Sequence, residues 1–220
     1  MKKTIICLAN SFKYGGRCVG GIEIELDEKK GSYKVKRDDR GIPIWIRPVS
    51  SLEHGKIPTD LVNNVRILDI LEIDVQDYCP NNSHSENYRY SSIKRISHVR
   101  KSSSNLNLLC DSFHDMIFYN RGKAVPSKVF EDGDYSLMLI KPEEAFLYKE
   151  FSNDKRGQLR LKITREEVVY DLPVTDPEFL GKNESFNGIE QKMGDCYLTI
   201  SLGEELDGWH YKLVAGVIEM

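Results

Sequence analysis

"LANSFKYGGRCVGGIEIEL", running from Leu8 to Leu26, decides how the chain is read. An apolar run that begins at Ile5, Ile6 and Cys7 breaks into a polar knot of Asn10, Ser11, Lys13, Gly15, Gly16 and Arg17. It then resumes through Val19, Ile22 and Ile24. Two short β-branched runs around a glycine pair read as two strands and the turn between them. Gly15 and Gly16 let the backbone turn tightly and expose N–H groups. Lys13 and Arg17 add positive charge there, and Asn10 and Ser11 add hydrogen-bonding groups. Together they suit an anion such as a phosphate. The spacing matches neither a P-loop nor a dinucleotide fingerprint, and no helix follows, so a plain turn with a solvated Lys and Arg is the competing account.

Strand signals continue outward from this hairpin. "GSYKVKR", "IPIWIRPVS" and "RILDILEIDV" in the first half are short, and so are "YSLMLIKPEEAFLYKE", "QLRLKITREEVVYDLPV", "DCYLTISLGEEL" and "WHYKLVAGVIEM" in the second. All are rich in β-branched and aromatic residues. Leu159, Leu161 and Ile163 alternate, "TREE" turns, and Val168, Tyr170 and Leu172 alternate back, a hairpin pattern. Between Asp77 and Asn105 the chain is polar and serine-rich, as an exposed connection would be. After it Leu106, Leu109, Cys110, Phe113, Ile117 and Phe118 recur at intervals of three or four, which predicts one amphipathic helix stopped near Asn120–Gly122. The expected division is residues 1–80 as a first barrel, 81–105 as a polar basic linker, and 106–220 as the helix plus a second barrel. Crossover helices for alternating βαβ units are missing. The fold class expected is therefore mainly β: two small antiparallel barrels joined by a polar linker and one amphipathic helix.

The 220 residues, 40% hydrophobic and 30% charged, suit one large or two small domains with a real core. A formal net charge of -3 argues against bulk electrostatic binding to nucleic acid and leaves room for a local basic patch. The apolar start "MKKTIICLANS" is too short for a signal peptide or a membrane span, and it reads as a first strand in a cytoplasmic protein. The five cysteines are odd in number, widely spaced and without a CxxC pair, which fits free thiols in a reducing compartment and excludes a close-spaced thiolate zinc site. The histidines form no HxH or HExxH, and there is no GxSxG. No metal, cofactor or catalytic residue is expected.

"CLANSFKYGGRCVGGIE", "WIRPVS", "YDLPVTDPEF" and "YLTISLGEELDGWHYKLVAGVI" resemble the dual-OB domain proteins of prokaryotes, over nearly the whole chain. The resemblance implies two OB-type barrels. More weakly, it implies nucleic-acid or nucleotide binding in a defence or conflict setting. It brings no catalytic residue with it.

Further candidates come from the residues themselves. Trp45 and Arg47 are two apart on a strand and so share a face. An aromatic beside a guanidinium could serve as a base-stacking platform, or Trp45 could pack in a core with Arg47 reaching its edge. Tyr88, Arg89, Lys94, Arg95, Arg100 and Lys101 interleave basic and aromatic residues in the manner of single-strand binders, although a solvated linker would look similar. The leading expectation is a binding module for single-stranded nucleic acid or a nucleotide, with Asn10, Ser11, Lys13, Arg17, Trp45 and Arg47 as ligand contacts. Two alternatives stand beside it. One is a phosphate-ester-processing enzyme using Lys13 and Arg17 with Asp171 and Asp176. The other is a scaffold that docks a protein partner on the helix or an open barrel edge.

Overall fold

The structure, a computed structural model, describes residues 1–29, 31–81, 83–112, 114–129, 135–151 and 157–220. Strands β1 (Lys2–Lys13), β2 (Gly16–Asp27), β3 (Ser32–Val35) and β4 (Trp45–Val49) are followed by helix α1 (Thr59–Val62), then β5 (Asp69–Tyr78) and β6 (Asn87–His98). The sheet order is β1-β5-β6-β4-β2-β3, and β1 pairs back onto β2, so all but β3 close into a barrel. Every pairing is antiparallel except β4 with β6, which run parallel from Arg47↔Asn87 to Val49↔Arg89.

Helix α2 (Ser103–Asn107) leads to β7 (Ala124–Pro126), β8 (Leu137–Ile140), β9 (Glu144–Phe151), β10 (Gly157–Arg165) and β11 (Val168–Pro173). Helix α3 (Pro177–Lys182) and strands β12 (Gln191–Lys192), β13 (Cys196–Leu206) and β14 (Trp209–Glu219) complete the chain. These strands form two four-stranded sheets, β11-β10-β9-β12 and β7-β14-β13-β8. A parallel bridge, Val174↔Val214, joins them at one side, and the chain running from β8 into β9 joins them at the other. The second unit therefore repeats the logic of the first as a half-barrel, with a short helix between its third and fourth long strands and one parallel contact. The expected mainly-β architecture of two small barrels holds.

The strand β1 explains how the units are fused. Its residues Ile5 and Cys7 point into the first barrel with Val19, Ile46, Leu71 and Ile73. The alternate residues Ile6 and Leu8 point outward, where Trp45 joins them in a core with Leu137, Leu139, Tyr197 and Ile218 of the second unit. A strand buried on both faces reads as a continuous apolar run, which is why "TIICLA" lacks alternation. A register shift between Cys7 and Ala9 takes Leu8 off the β1–β2 ladder, and its carbonyl accepts from Thr199 Oγ1 at 2.6 Å. Gly216 makes that approach possible, since a Cβ there would sit 2.2 Å from the same oxygen.

Two expectations need correction. The segment 81–105 is not a linker, because β6 is a barrel strand paired to both β5 and β4. Its inward residues Tyr88, Tyr90 and Ile93 pack on the barrel core, while breaks in register between Ile70 and Asp77 of β5 blur the alternation. The amphipathic helix from Leu106 is also absent: helix α2 ends at Asn107, and turns follow. Leu106 and Leu109 serve the core between the units, whereas Ile117 and Phe118 serve the core of the second unit. The three-to-four spacing thus belongs to a segment crossing between two cores. Phe113 lies outside the described residues. The unexpected α3 starts at Pro177 and is capped by Asp176, which accepts from the N–H groups of Glu178 and Phe179.

Where the units meet, Arg47 is 2% exposed and Glu86 1%. Arg47 Nη2 lies 3.0 Å from Glu86 Oε1 and donates to Ser136 Oγ at 2.9 Å, and Ser136 Oγ donates to Glu86 at 2.6 Å. Removing one partner of such a pair strands the other's charge. Arg47→Met and Glu86→Leu should each cost about 3–5 kcal/mol of stability in denaturant titration, with the double variant costing less than the sum of the two.

Candidate functional site

Period-two alternation divides the opening hairpin between two sites. Phe12 pairs with Arg17 in the ladder and Ser11 with Cys18, so the two pairs face opposite ways. On one face Arg17 lies over the Phe12 ring, 4.5 Å from its centroid. Its Nε and Nη1 are buried without a hydrogen-bond partner. Burial pushes the Arg17 guanidinium down from its ordinary value, with Asp176 pulling the other way. Asn10 ties its Nδ2 to the carbonyls of Val62 and Val65, at 3.0 and 2.9 Å, and its buried Oδ1 has no partner.

Asn10 and Arg17 line a cavity of about 350 Å³ with Asn63, Arg66 and Glu178, and Phe12 lies beside it, on the wall of a smaller cavity. A second cavity, of about 310 Å³, continues from Arg66 and Glu178 past His98, Lys101 and Lys182. The two form one groove between the first barrel and α3. Of its acids, Asp176 and Glu219 are engaged within the protein, and Glu178 also lines the wall. Asp176 accepts from the N–H groups of Glu178, Phe179 and Val217, at 3.0, 3.3 and 2.9 Å. Burial nevertheless raises its pKa. Glu219 pairs with Lys182.

The other face of the hairpin opens on a cavity of about 200 Å³ shared with the second unit, lined by Ser11, Lys13, Cys18, Arg47, His84 and Glu204 among others. Lys13 pairs with Glu204 at 3.0 Å, and His54 Nδ1 is 2.6 Å from the same carboxylate. Burial opposes the Glu204 charge, but Lys13 and His54 together hold its pKa below the usual range. Tyr14 stacks on His54, with centroids 3.9 Å apart. His84 is 3% exposed; burial first, and then the Arg47 charge, push its pKa well below the ordinary histidine value.

The structure thus gathers Asn10 and Arg17 at the groove, and Ser11, Lys13 and Arg47 at the smaller cavity. It removes the stacking platform. Trp45 is 4% exposed inside the core between the units and Arg47 is sealed against Glu86, because β4 is covered on both faces. Of the basic residues around β6, Lys101 reaches the groove, donating to the Glu219 carbonyl at 3.0 Å. Tyr88 is half-buried beneath Lys3, Arg89 pairs with Asp77, Arg95 pairs with Asp69, Lys94 sits opposite Glu72, and Arg100 is exposed.

The quartet expected of an enzyme is not assembled. Lys13 faces Glu204 and Asp176 caps α3, while Asp171 lies on the β10–β11 ladder with Arg160 and Tyr148, at 2.8 and 2.6 Å. Sequence reasoning missed Phe12, Arg66, Lys182 and His84. Phe12, between Ser11 and Lys13 in a polar knot, was the available signal. Among the described residues no cluster of His, Cys, Asp and Glu could hold a metal ion, and no helix is long and apolar enough to cross a membrane.

A closed barrel fused to a half-barrel, with loops and strand ends converging on clefts, defines a two-barrel protein of the OB class. The chain belongs to the dual OB-containing domain family, whose model matches residues 3–217. No curated protein matches the sequence. Among solved structures the chain is similar to the crystal structure of the tetrameric p202 HIN2, with 12% identity and a TM-score of 0.29 over 97% of this chain and 91% of that one. So loose a likeness carries no argument.

The buried His84 has a consequence for stability. Below about pH 6.5 the unfolded chain takes up a proton there that the folded chain resists, so stability falls as the pH drops. The His84 contribution should be complete above that value and be lost progressively as the pH falls below it. Urea titrations of the wild type and His84→Gln at about pH 7.5 and pH 5 should show the wild type losing more stability than the variant between the two.

Proposed function

We propose that this protein binds single-stranded nucleic acid in the groove between its two units, with phosphates held by Arg17 and Arg66 and then by Lys101 and Lys182. The observation that carries this reading is the pair of buried, unpartnered donors on Arg17, Nε and Nη1, at the groove wall. Buried donors without partners are rare in folded proteins, and anionic phosphate oxygens are the acceptors that suit a guanidinium best. Phe12 is 55% exposed and carries Arg17 on its ring, so it supplies the aromatic surface that Trp45 does not. A base stacking there extends a ring–guanidinium stack already in place. Barrels of this class commonly present loops and strand faces to oligonucleotides, which supports the same reading.

The net charge of -3 is compatible with this, because the cations that matter are local. Fluorescence anisotropy with a labelled oligothymidylate at two salt concentrations tests the proposal. Affinity should fall with salt, with a log–log slope of about -0.7 per phosphate contacted. Arg17→Ala and Arg66→Ala should each weaken binding and reduce that slope by about 0.7. Phe12→Ala should cost about 1–3 kcal/mol with the slope unchanged. No binding at low salt, or binding indifferent to salt and to Arg17, would overturn the proposal.

A further inference from the structure

The smaller cavity differs in chemistry from the groove beside it. The two are separated by the backbone contact in which Phe12 N–H donates to the Thr175 carbonyl at 2.9 Å, and Phe12 and Thr175 line the cavity while Asn10, Arg17 and Asp176 line the groove. The charges of Arg47, Lys13 and Glu204 on its wall are each matched. Arg47 is paired with Glu86, and Lys13 with Glu204. Leu202, Leu213 and Ala215 supply apolar wall. A cavity that is balanced in charge and partly apolar offers little to a phosphate or carboxylate, whose desolvation it would not offset, and suits an uncharged ring. Its volume of about 200 Å³ lies below the roughly 300–1,000 Å³ of drug-sized sites, so it fits one small heterocycle.

Two polar groups remain to orient such a ring. Arg47 makes its bonds through Nη2, and its Nε is buried without a partner. His84 Nδ1 is 2.7 Å from the Ser83 carbonyl, which can only accept, so Nδ1 carries the proton and Nε2 is the acceptor nitrogen. Arg47 and His84 both line the cavity, so its wall carries one unpartnered donor and one acceptor. We propose that it binds an uncharged nitrogen heterocycle presenting an N–H beside a carbonyl oxygen, the edge shared by uracil, thymine and guanine. Arg47 Nε–H donates to the carbonyl, and His84 Nε2 accepts the N–H. A free nucleoside and a base of a strand lying in the groove offer the same edge, and the inference does not depend on the groove being occupied.

The test follows the His84 imidazole resonances by NMR while uridine, N3-methyluridine and cytidine are added to the wild-type protein. Uridine should shift them with a dissociation constant on the order of 1 mM or tighter. N3-methyluridine, which lacks the N–H, and cytidine, which has no N–H at N3, should bind at least about tenfold more weakly. His84→Phe should abolish the uridine response, read from the remaining backbone resonances; the methylated ligand carries the same discrimination if that variant fails to fold. An oligouridylate that outbinds uridine and loses the gain in Arg17→Ala assigns the site to a base of a bound strand, and equal affinities assign it to free nucleosides. Failure of oligothymidylate to bind would remove the groove reading and leave this one standing on uridine. Unmoved His84 resonances, or N3-methyluridine binding as well as uridine, would overturn it.

Discussion

The ion pair of Arg47 and Glu86 ties the architecture together. Burying both charges is costly, and their attraction offsets that cost only when the geometry is good and the remaining donors and acceptors are satisfied. The second unit supplies much of that satisfaction. Ser136 donates to Glu86 through both its backbone N–H, at 3.2 Å, and its hydroxyl, while the hydroxyls of Ser136 and Ser201 receive Arg47. Both charges sit in the first barrel, and the second unit completes their hydrogen bonding. Separating the units would strip the pair of its hydroxyl partners, so the relative placement of the barrels is favoured by polar pairing as well as by packing. Lys13, the tip of the first hairpin, is held the same way by Glu204 of β13.

Fixed placement matters because both candidate sites lie between the units. The hairpin of β1 and β2 is a ribbon whose two faces are set by geometry alone, and each face meets a different neighbour. Asn10 and Arg17 turn toward α1 and α3, whereas Ser11, Lys13 and Cys18 turn toward β13 and β14. A one-residue slip in the β1–β2 register would exchange the two sets. The contact of Leu8 with Thr199 and the close approach at Gly216 pin β1 against the second unit just before the polar knot begins, which opposes such a slip.

Much of this was legible in the sequence, and the failures have physical causes. Hairpins with strong alternation were read correctly, as Leu159 to Leu172 shows, where Glu166 and Glu167 form the turn with φ of 47° and 62°. The strand β6 was misread because a barrel strand with a solvated outer face, such as the run from Ser91 to Arg95, is as polar as a linker, and composition cannot see its hydrogen-bonded ladder. The false helix after Leu106 arose because spacing reports burial and not which core does the burying. Asn10, Ser11, Lys13 and Arg17 were singled out as a group, but their division between two faces depends on pairing register. The burial of Trp45 was one of two readings that the sequence held open. It became decidable only once β4 was seen covered on the side of the second unit. His84 carried no motif; its interest comes from Ser83, Arg47 and a cavity assembled from both halves of the chain.

The juxtaposition of the two sites is itself informative. A groove whose wall carries Arg17, Arg66, Lys101 and Lys182 beside Asp176, Glu178 and Glu219, and an adjoining cavity with its charges cancelled, make different demands on a ligand, and few small ions could meet both. The groove rewards negative charge at a solvent-accessible wall, where the strength of attraction depends on salt. The cavity rewards a neutral edge with one donor and one acceptor in a fixed order, where salt matters little and a misplaced N–H leaves buried groups unpaired. A phosphodiester strand is built from these two elements in alternation, anionic linkers and neutral rings. On the binding function proposed above, affinity would then reside in the groove and base preference in the cavity. The buried Arg47–Glu86 pair would link them, by removing the net charge that would otherwise draw a phosphate into the wrong site.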